Sequence, residues 1–371
     1  AIAEDGVTYN VYEDPRGDTR PWEVDLLPLV LGADEWQWLS KAVAQRAELL
    51  DSVLADLYGE QSLLKEGLMP PALVYGQAGF QWPCQGIQPA GGRFLHLYAV
   101  DLARAPDGGW WVMADRTQAP SGAGYALQNR LVISRAFPAP FHNLPVTNLS
   151  EFFQGFQNSL AGMSPAGTES PLCVLLTPGR FNETYFEHVF LARYLGLPLV
   201  EGQDLTVRDD TVYLKTLQGL RRVHAIYRRL DDGFCDPLEL RADSVLGIPG
   251  LLGAVRAGKV LMANALGSGV LESAALFGFL PEISKKLLGS PLAMPSVASW
   301  WCGEKPALDY VIEHLDELVI KPAFASMRME PVFGYQMKGA ERTALIKKMN
   351  AHPHAFVGQE LVHLSQAPVW K

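Results

Sequence analysis

The chain has 371 residues, 48% of them hydrophobic and 19% charged, which is the composition of a folded globular protein and not of a disordered one. Its formal net charge of −9 argues against a general binder of nucleic acid or of an anionic membrane, because such proteins are normally basic. The length suggests about two to three domains or subdomains with a sizeable core.

The cysteines and the most apolar stretch suggest the compartment. No CxxC pair occurs among the four cysteines, which are Cys84, Cys173, Cys235 and Cys302. Scattered cysteines predict neither a disulfide framework nor a zinc site, and they fit a reducing cytoplasm. Residues 260–280 are apolar but contain Glu272 and three glycines, so we expect a buried loop and helix there instead of a membrane span.

The first predicted elements are a helix and a β-hairpin. Residues 34–58 have apolar side chains at helical spacing, and Gly59 ends the run. Residues 94–105 and 110–117 alternate like strands, and the turn between them is rich in glycine and proline.

The register of this hairpin decides whether its carboxylates meet. A loop of three or four residues places Asp101 opposite either Asp115 or Ala114. In the first register both carboxylates lie on one face, within reach of a single cation. A helical stretch follows the hairpin and runs through Arg130.

Strands and helices alternate from residue 171 onward. Strands are predicted over 172–176, 198–201 and 223–227, a helix over 183–195, and a hairpin over 205–216. This alternation predicts a mostly parallel sheet with ligands at the carboxyl ends of its strands. Arg228 and Arg229 lie at such an end, where they can hold a substrate carboxylate or pair with a neighbouring aspartate, Asp231 or Asp232.

The last third of the chain predicts helices over 282–288, 306–316 and 340–350. Strands are predicted over 318–322, 331–337 and 355–361, and the first of them is buried and ends at Lys321. The loop that contains Asn264 and Gly267 either approaches a ligand closely or is a tight connection.

Nine short segments, in order, resemble the circularly permuted ATP-grasp proteins, which are relatives of glutathionylspermidine synthetase. The resemblance runs from about residue 7 to 371, and its segments are 51–59, 119–122 with 128–130, 176–179, 185–188, 200–205, 226–229, 263–269, 319–322 and 359–360. It implies an α/β chain with a circularly permuted ATP-grasp fold, in which the metal-binding strands come first, and with a Rossmann-like β-α-β subdomain. We expect the boundaries 1–165, 166–262 and 263–371, the last part being incomplete at its C-terminal end.

The resemblance also implies a nucleotide site. Lys321 matches the lysine that contacts nucleotide phosphates, and Gln359 and Glu360 match the strand end that meets adenine and ribose. Asn264 and Gly267 are further candidates for cofactor contacts.

The implied metal site departs from the family pattern. Asp101 matches a metal-binding carboxylate, but Ala114 and Arg116 stand where relatives have a Glu-x-Asn motif. Either Asp115 or Gln118 substitutes as a ligand, or the site holds fewer metals. Strict alternation places Arg116 on the face opposite Asp115, which would turn its charge away from the metal.

Two other arginines are candidates for anionic ligands. Arg328 follows the lysine strand in a loop without glycine, where its guanidinium suits phosphate. Arg130 is expected to face an anionic substrate. His188 lies on a predicted helix, and no Ser/His/Asp or Cys/His triad recruits it.

The implied function is a carboxylate–amine ligase that uses ATP and Mg²⁺ and acts through an acylphosphate. Its partners are small-molecule or peptide carboxylates and amines, with no nucleic acid and no membrane, and the expected location is the cytoplasm. Two alternatives stay open: a degenerate nucleotide-binding module, for which Ala114 and Arg116 argue, and an ATP-dependent phosphotransferase.

Overall fold

The computed structural model describes residues 4–9, 20–25, 27–165, 170–324, 327 and 329–369. The helices within these residues are α1 Ala33–Leu57, α2 Ser62–Lys65, α3 Pro71–Tyr75, α4 Ala123–Ala136, α5 Pro138–Asn143, α6 Ser150–Met163, α7 Tyr185–Leu195, α8 Leu251–Arg256, α9 Leu280–Leu288, α10 Lys305–Glu313 and α11 Gly339–Ala351. None of them is long and apolar enough to span a bilayer.

The strands alternate with these helices. They are β1 Thr8–Tyr9, β2 Arg20–Pro21, β3 Ala99–Arg104, β4 Trp110–Arg116, β5 Cys173–Leu176, β6 Leu199–Val200, β7 Leu205–Arg208, β8 Thr211–Thr216, β9 Gly219–Arg222, β10 Ala225–Arg228, β11 Leu261–Ala263, β12 Ser299–Trp301, β13 Leu318–Pro322, β14 Val332–Phe333 and β15 Phe356–Glu360. The predicted α/β class is confirmed.

The central sheet is parallel, with the strand order β11-β10-β5-β6. Its residues alternate between two hydrophobic clusters: Val174 and Ile226 face one, whereas Leu175 and Tyr227 face the other. Both faces are covered, which explains why these strands are apolar throughout and do not alternate with polar residues. The predicted parallel sheet is therefore correct.

The second four-stranded sheet is antiparallel, with the order β12-β15-β13-β14. Val319 pairs with Gln359 and Lys321 pairs with Val357, so the predicted strand that ends in a lysine is confirmed. The strand predicted over 331–337 is shorter, because a 3-10 turn begins at Gly334.

The early hairpin β3–β4 is attached to the late part of the chain. The backbone N–H of Val112 donates to the Pro295 carbonyl at 2.9 Å, and the N–H of Val297 donates to the Val112 carbonyl at 3.0 Å. The same segment then enters β12. Residues 99–116 are thereby fixed beside the antiparallel sheet, although about 180 residues separate them along the chain.

One hydrophobic cluster joins these parts. It contains Leu50 of α1, Val174 of β5, Leu276 and Val357 of β15. Residues 260–280 are buried as expected, but they form β11 and 3-10 turns, and the helix starts only at Leu280. Because the cluster draws on all three proposed domains, the boundaries near 165 and 262 stay predictions.

Candidate functional site

Lys321 and Gln359 form the centre of the candidate site, where β13 and β15 end. The Lys321 ammonium donates to the Gln359 side-chain oxygen at 2.5 Å, and the Gln359 amide donates to Ser299 Oγ at 3.1 Å. Glu360 follows at the exposed end of β15. Partial burial lowers the pKa of Lys321, the Arg116 guanidinium lowers it further, and the Asp101 carboxylate opposes both. The structure therefore brings the predicted nucleotide residues of the antiparallel sheet close to the β3–β4 hairpin.

The hairpin register places Asp101 opposite Ala114, with an irregularity directly after Asp101. Asp101 and Arg116 share one face, and Asp115 lies on the other. Of the two possible registers the structure has the second, so Asp101 and Asp115 do not face a single cation in this hairpin. Arg116 lies on the face of the hairpin opposite to Asp115, as expected, but its charge is not turned away from the predicted metal ligand Asp101. It forms an ion pair with Asp101 at 2.8 Å, and both side chains are 52% exposed.

Asp115 is a structural residue, contrary to its prediction as a metal ligand. Arg46 donates to its two oxygens at 2.7 Å each, and the Tyr98 hydroxyl donates at 2.5 Å. Asp115 is 2% exposed. A carboxylate that is buried and bonded in this way is not available to a cation in the cleft.

Gln118 is likewise occupied inside the protein. Its amide donates to Asp232 at 2.9 Å, and its oxygen accepts from the Asp232 backbone at 3.3 Å. This side chain braces the end of β4 against the loop after β10, which corrects its prediction as a metal ligand. Within the described residues, no group of three or more His, Cys, Asp or Glu side chains is arranged to hold a metal ion.

Two carboxylates that were not predicted as site residues lie near strand ends, Glu272 at the end of β4 and Asp231 after β10. Glu272 accepts from the backbone N–H groups of Thr117 and Gln118 at 2.7 Å each, and burial raises its pKa. Asp231 is exposed to solvent, yet desolvation raises its pKa as well. The signal for Asp231 in the sequence is the Asp231-Asp232 pair, which directly follows a predicted parallel strand.

Arg228 is a scaffold residue and not a substrate ligand. It is fully buried and donates to the carbonyl groups of Leu230, Asn264 and Ala265 and to Ser268 Oγ at 2.8–3.1 Å. These bonds fix the loop after β11 against the end of β10. The prediction that Arg228 holds a substrate carboxylate is therefore wrong.

Asn264 and Gly267, which were predicted to contact a cofactor, hold the loop after β11 in place. Asn264 accepts from the backbone of His96 and Leu97 at 2.8 and 2.9 Å, and it donates to the carbonyls of Leu97 and Thr117 at 2.7 Å each. Gly267 has φ +90°, and a Cβ there would overlap the Tyr58 hydroxyl. The loop is thus a tight connection, and the predicted cofactor contacts of these two side chains are not supported.

Arg229 pairs with Glu187 at 3.2 Å, inside the protein. It also donates to the Pro120 carbonyl, and Glu187 accepts from the backbone of Gly122 and Gly124 at the start of α4. The Arg229 Nε is buried and has no hydrogen-bond partner among the described residues. The partner is Glu187, and not one of the two aspartates that follow β10.

The remaining predicted arginines lie elsewhere. Arg130 donates to the Thr147 carbonyl at 3.2 Å and its guanidinium lies 5.7 Å from the centre of the Phe141 ring, so it packs between α4 and α5 and does not face the cleft. Arg328 lies outside the described residues.

A surface groove of about 460 Å³ between α4 and α7 contains none of the predicted ligands and is lined partly by Phe186 and Phe190. The chemistry is therefore expected in the cleft and not in that groove.

His188 organises the loop at the carboxyl end of β5. Its ring nitrogens lie 2.9 Å from Thr177 Oγ1 and 3.1 Å from Thr184 Oγ1. Thr177 accepts from the Gly179 backbone and Thr184 donates to Asn182, so Thr177 donates to Nδ1 and the ring proton lies on Nε2. Burial lowers the pKa of His188 to about 2, with a further contribution from Arg229. The imidazole is neutral and structural.

The model of one protein family, circularly permuted ATP-grasp type 2, matches residues 28–371 of the sequence. The chain belongs to this family. The expected circularly permuted ATP-grasp fold is thereby confirmed. The structure of a glutathione synthetase-like effector from Globodera pallida, in its apo form, has a TM-score of 0.61 at 12% identity and covers 98% of this chain and 79% of its own. That likeness supports the fold alone.

Several bacterial relatives extend over nearly the whole chain. The uncharacterized protein sll0335 of Synechocystis is 37% identical over 98% of this chain, and the match spans 76% of that relative. The uncharacterized proteins Rv2567 and Rv2411c of Mycobacterium tuberculosis are 39% and 36% identical over 99% of this chain. The chain spans 42% and 66% of their lengths, so these relatives contain further sequence.

Proposed function

We propose that this protein is an ATP-dependent carboxylate–amine ligase whose nucleotide phosphates bind at Lys321. The observation that carries the proposal is the Lys321–Gln359 pair, which lies within electrostatic range of Asp101 and Arg116 of the permuted hairpin. In an ATP-grasp chain this cleft lies between the nucleotide sheet and the metal-binding strands. Family membership supports the use of ATP, and the cleft supports the position of its phosphates.

The residues of the cleft suit a triphosphate. Lys321 and Arg116 supply positive charge, and the exposed Glu360 at the end of β15 supplies a polar group for the nucleoside. The buried Gln359 side chain positions the Lys321 ammonium. Magnesium typically takes one or two carboxylates and completes its shell with phosphates and water. Asp101 fits as one such ligand, even without a preformed three-ligand cluster. Bound Mg²⁺ would neutralise charge on the phosphates during transfer.

The proposed reaction has two steps. A substrate carboxylate oxygen attacks the γ-phosphorus of ATP, the bond to the β-phosphate oxygen breaks, and ADP leaves. The amine nitrogen then attacks the acylphosphate carbonyl, inorganic phosphate leaves, and the nitrogen loses a proton. Asp231, which follows β10, can hold a cationic amine before it loses its proton and attacks, since this carboxyl group is exposed to solvent. We place this activity in the cytoplasm, which the free and buried cysteines support.

Hydroxylamine trapping tests the ligase directly. The protein is incubated with MgATP, hydroxylamine as the amine, and amino acids or short peptides as the carboxylates, and ADP and hydroxamates are measured. We expect ADP and a hydroxamate in equal amounts with at least one carboxylate. A stable phosphorylated product would contradict the ligase and favour the phosphotransferase.

One observation favours a second candidate, a nucleotide-binding module without catalysis. Asp101 is paired with Arg116, and the metal positions that relatives fill with a Glu-x-Asn motif hold Ala114 and Arg116. Calorimetry with ATP separates the two candidates. Affinity that is the same with Mg²⁺ and with EDTA would favour the module, whereas tighter binding with Mg²⁺ supports the ligase.

A further inference from the structure

Arg116 lies near Lys321 of the antiparallel sheet. It is the last residue of β4, which is fixed through Val112 to the segment that enters β12. In β12, Ser299 pairs with Gln359, the partner of Lys321. This strand geometry agrees with the effect of the Arg116 charge on the pKa of Lys321. Two cationic side chains from distant parts of the sequence therefore converge on one cleft.

The partner of Arg116 holds it only weakly. Its Nε and Nη2 both donate to the same Asp101 oxygen, at 3.2 and 2.8 Å, and both side chains are half-exposed. Ion pairs of this kind contribute little, because water screens them and two long side chains must be ordered. The buried Arg46, by contrast, has a bidentate partner in Asp115 and cannot be redirected at comparable cost.

We propose that Arg116 is a phosphate ligand that exchanges its Asp101 partner for the nucleotide. This inference rests on the proposed function. Phosphate is a better partner for a guanidinium than a single carboxylate oxygen is, because phosphate offers several acceptor oxygens to the planar N–H donors. The exchange releases the Asp101 carboxylate at the moment the phosphates arrive. Arg116 thus supplies positive charge to the phosphates, and Asp101 competes with the nucleotide for it.

The experiment is isothermal titration of ATP in EDTA at fixed ionic strength. It uses the wild type, Arg116→Gln, Asp101→Asn and the double variant. Arg104→Gln is the matched control, because Arg104 lies on the same hairpin and pairs with Glu35 at 3.1 Å. Thermal melting of each variant checks that it is folded, which we expect because these side chains are not deeply buried.

We expect Arg116→Gln to weaken ATP binding roughly tenfold or more, the effect of losing one charge-assisted contact. Arg104→Gln should stay within about twofold, as expected for a charge outside the cleft. Asp101→Asn should tighten ATP binding a few-fold, and this gain should vanish in the double variant, because Asp101 acts through Arg116.

The outcomes separate this inference from the proposed function. If the wild type binds ATP and Arg116→Gln binds it within about twofold as well, Arg116 is no phosphate ligand and only this inference fails. An equal gain from Asp101→Asn in both backgrounds would show a general charge effect and would overturn the exchange. A wild type that does not bind ATP, with or without Mg²⁺, would overturn both.

Discussion

Arg46 of α1 and Asp115 of β4 form a buried bidentate ion pair, with both N–O distances at 2.7 Å. Their side chains are 2% and 1% exposed, and 69 residues separate them in the sequence. Burial by itself lowers the pKa of Arg46, because it disfavours the charged guanidinium. The hydrogen bonds and the charge of Asp115 have the opposite and larger effect, so the pKa of Arg46 is raised. The pair fixes the permuted hairpin to the long helix.

Asp115→Asn should therefore destabilise the protein without a specific effect on the cleft. It leaves the Arg46 charge buried and uncompensated, which costs about 3–5 kcal/mol of unfolding free energy. Asp101→Asn is the control, because an exposed pair contributes about 1 kcal/mol or less. Urea unfolding followed by circular dichroism measures both. Equal losses in the two variants would contradict the buried-pair account.

The sequence predicts the elements that depend on neighbouring residues, but it does not predict side-chain partners that are distant along the chain. The strand that ends in Lys321 and the parallel strand before Arg228 followed from apolar runs and turn residues, and both are present. The partner of Asp115 could not be predicted, since no local pattern links it to Arg46. Glu272 is a single charged residue in an apolar stretch, and no local pattern links it to the backbone of Thr117 and Gln118.

Arg228 shows the same limitation in a different way. A strand-end arginine predicts a ligand contact in general, but here the loop after β11 folds back and presents its carbonyls to the guanidinium. Whether such a residue meets a ligand or a loop depends on tertiary folding, which the strand pattern does not contain. The family resemblance identified the fold, whereas the side chains of Arg228, Asn264 and Gln118 bond to neighbouring groups of the protein.

Arg228→Lys is expected to destabilise the protein by about 2–4 kcal/mol, because an ammonium cannot reach all the acceptors of the guanidinium and leaves buried carbonyls unpaired. Denaturant unfolding measures the loss. Arg222→Lys, on the exposed strand β9, is the matched control and should change little. A variant as stable as the control would show that Arg228 is not part of the scaffold.

His188 predicts an acid-sensitive stability. Its pKa is lowered from 6.5 to about 2 in the folded protein, chiefly by burial and also by Arg229. Between these values the unfolded chain binds a proton that the folded chain does not, so stability falls with falling pH by at most about 1.4 kcal/mol per pH unit. His188→Gln should flatten this part of the profile, whereas His142→Gln, at an exposed position, should not. Unfolding free energies at pH 4.5 and 7.5 provide the test, and a slope unchanged by His188→Gln would contradict it.

Lys321→Ala is expected to weaken ATP binding by about tenfold to hundredfold, since the positive charge nearest the proposed phosphates is lost. Lys286→Ala is the control, because Lys286 pairs with Glu66 at 2.7 Å on the exposed surface. The lowered pKa also predicts that wild-type affinity falls as pH rises, at a lower pH than an ordinary lysine with a pKa of 10.5 would give. The ammonium is the form that binds phosphate, so its deprotonation removes the attraction. Calorimetry with ATP between pH 7 and 10 measures both effects, and an affinity that is unchanged in Lys321→Ala would show that the phosphates bind elsewhere.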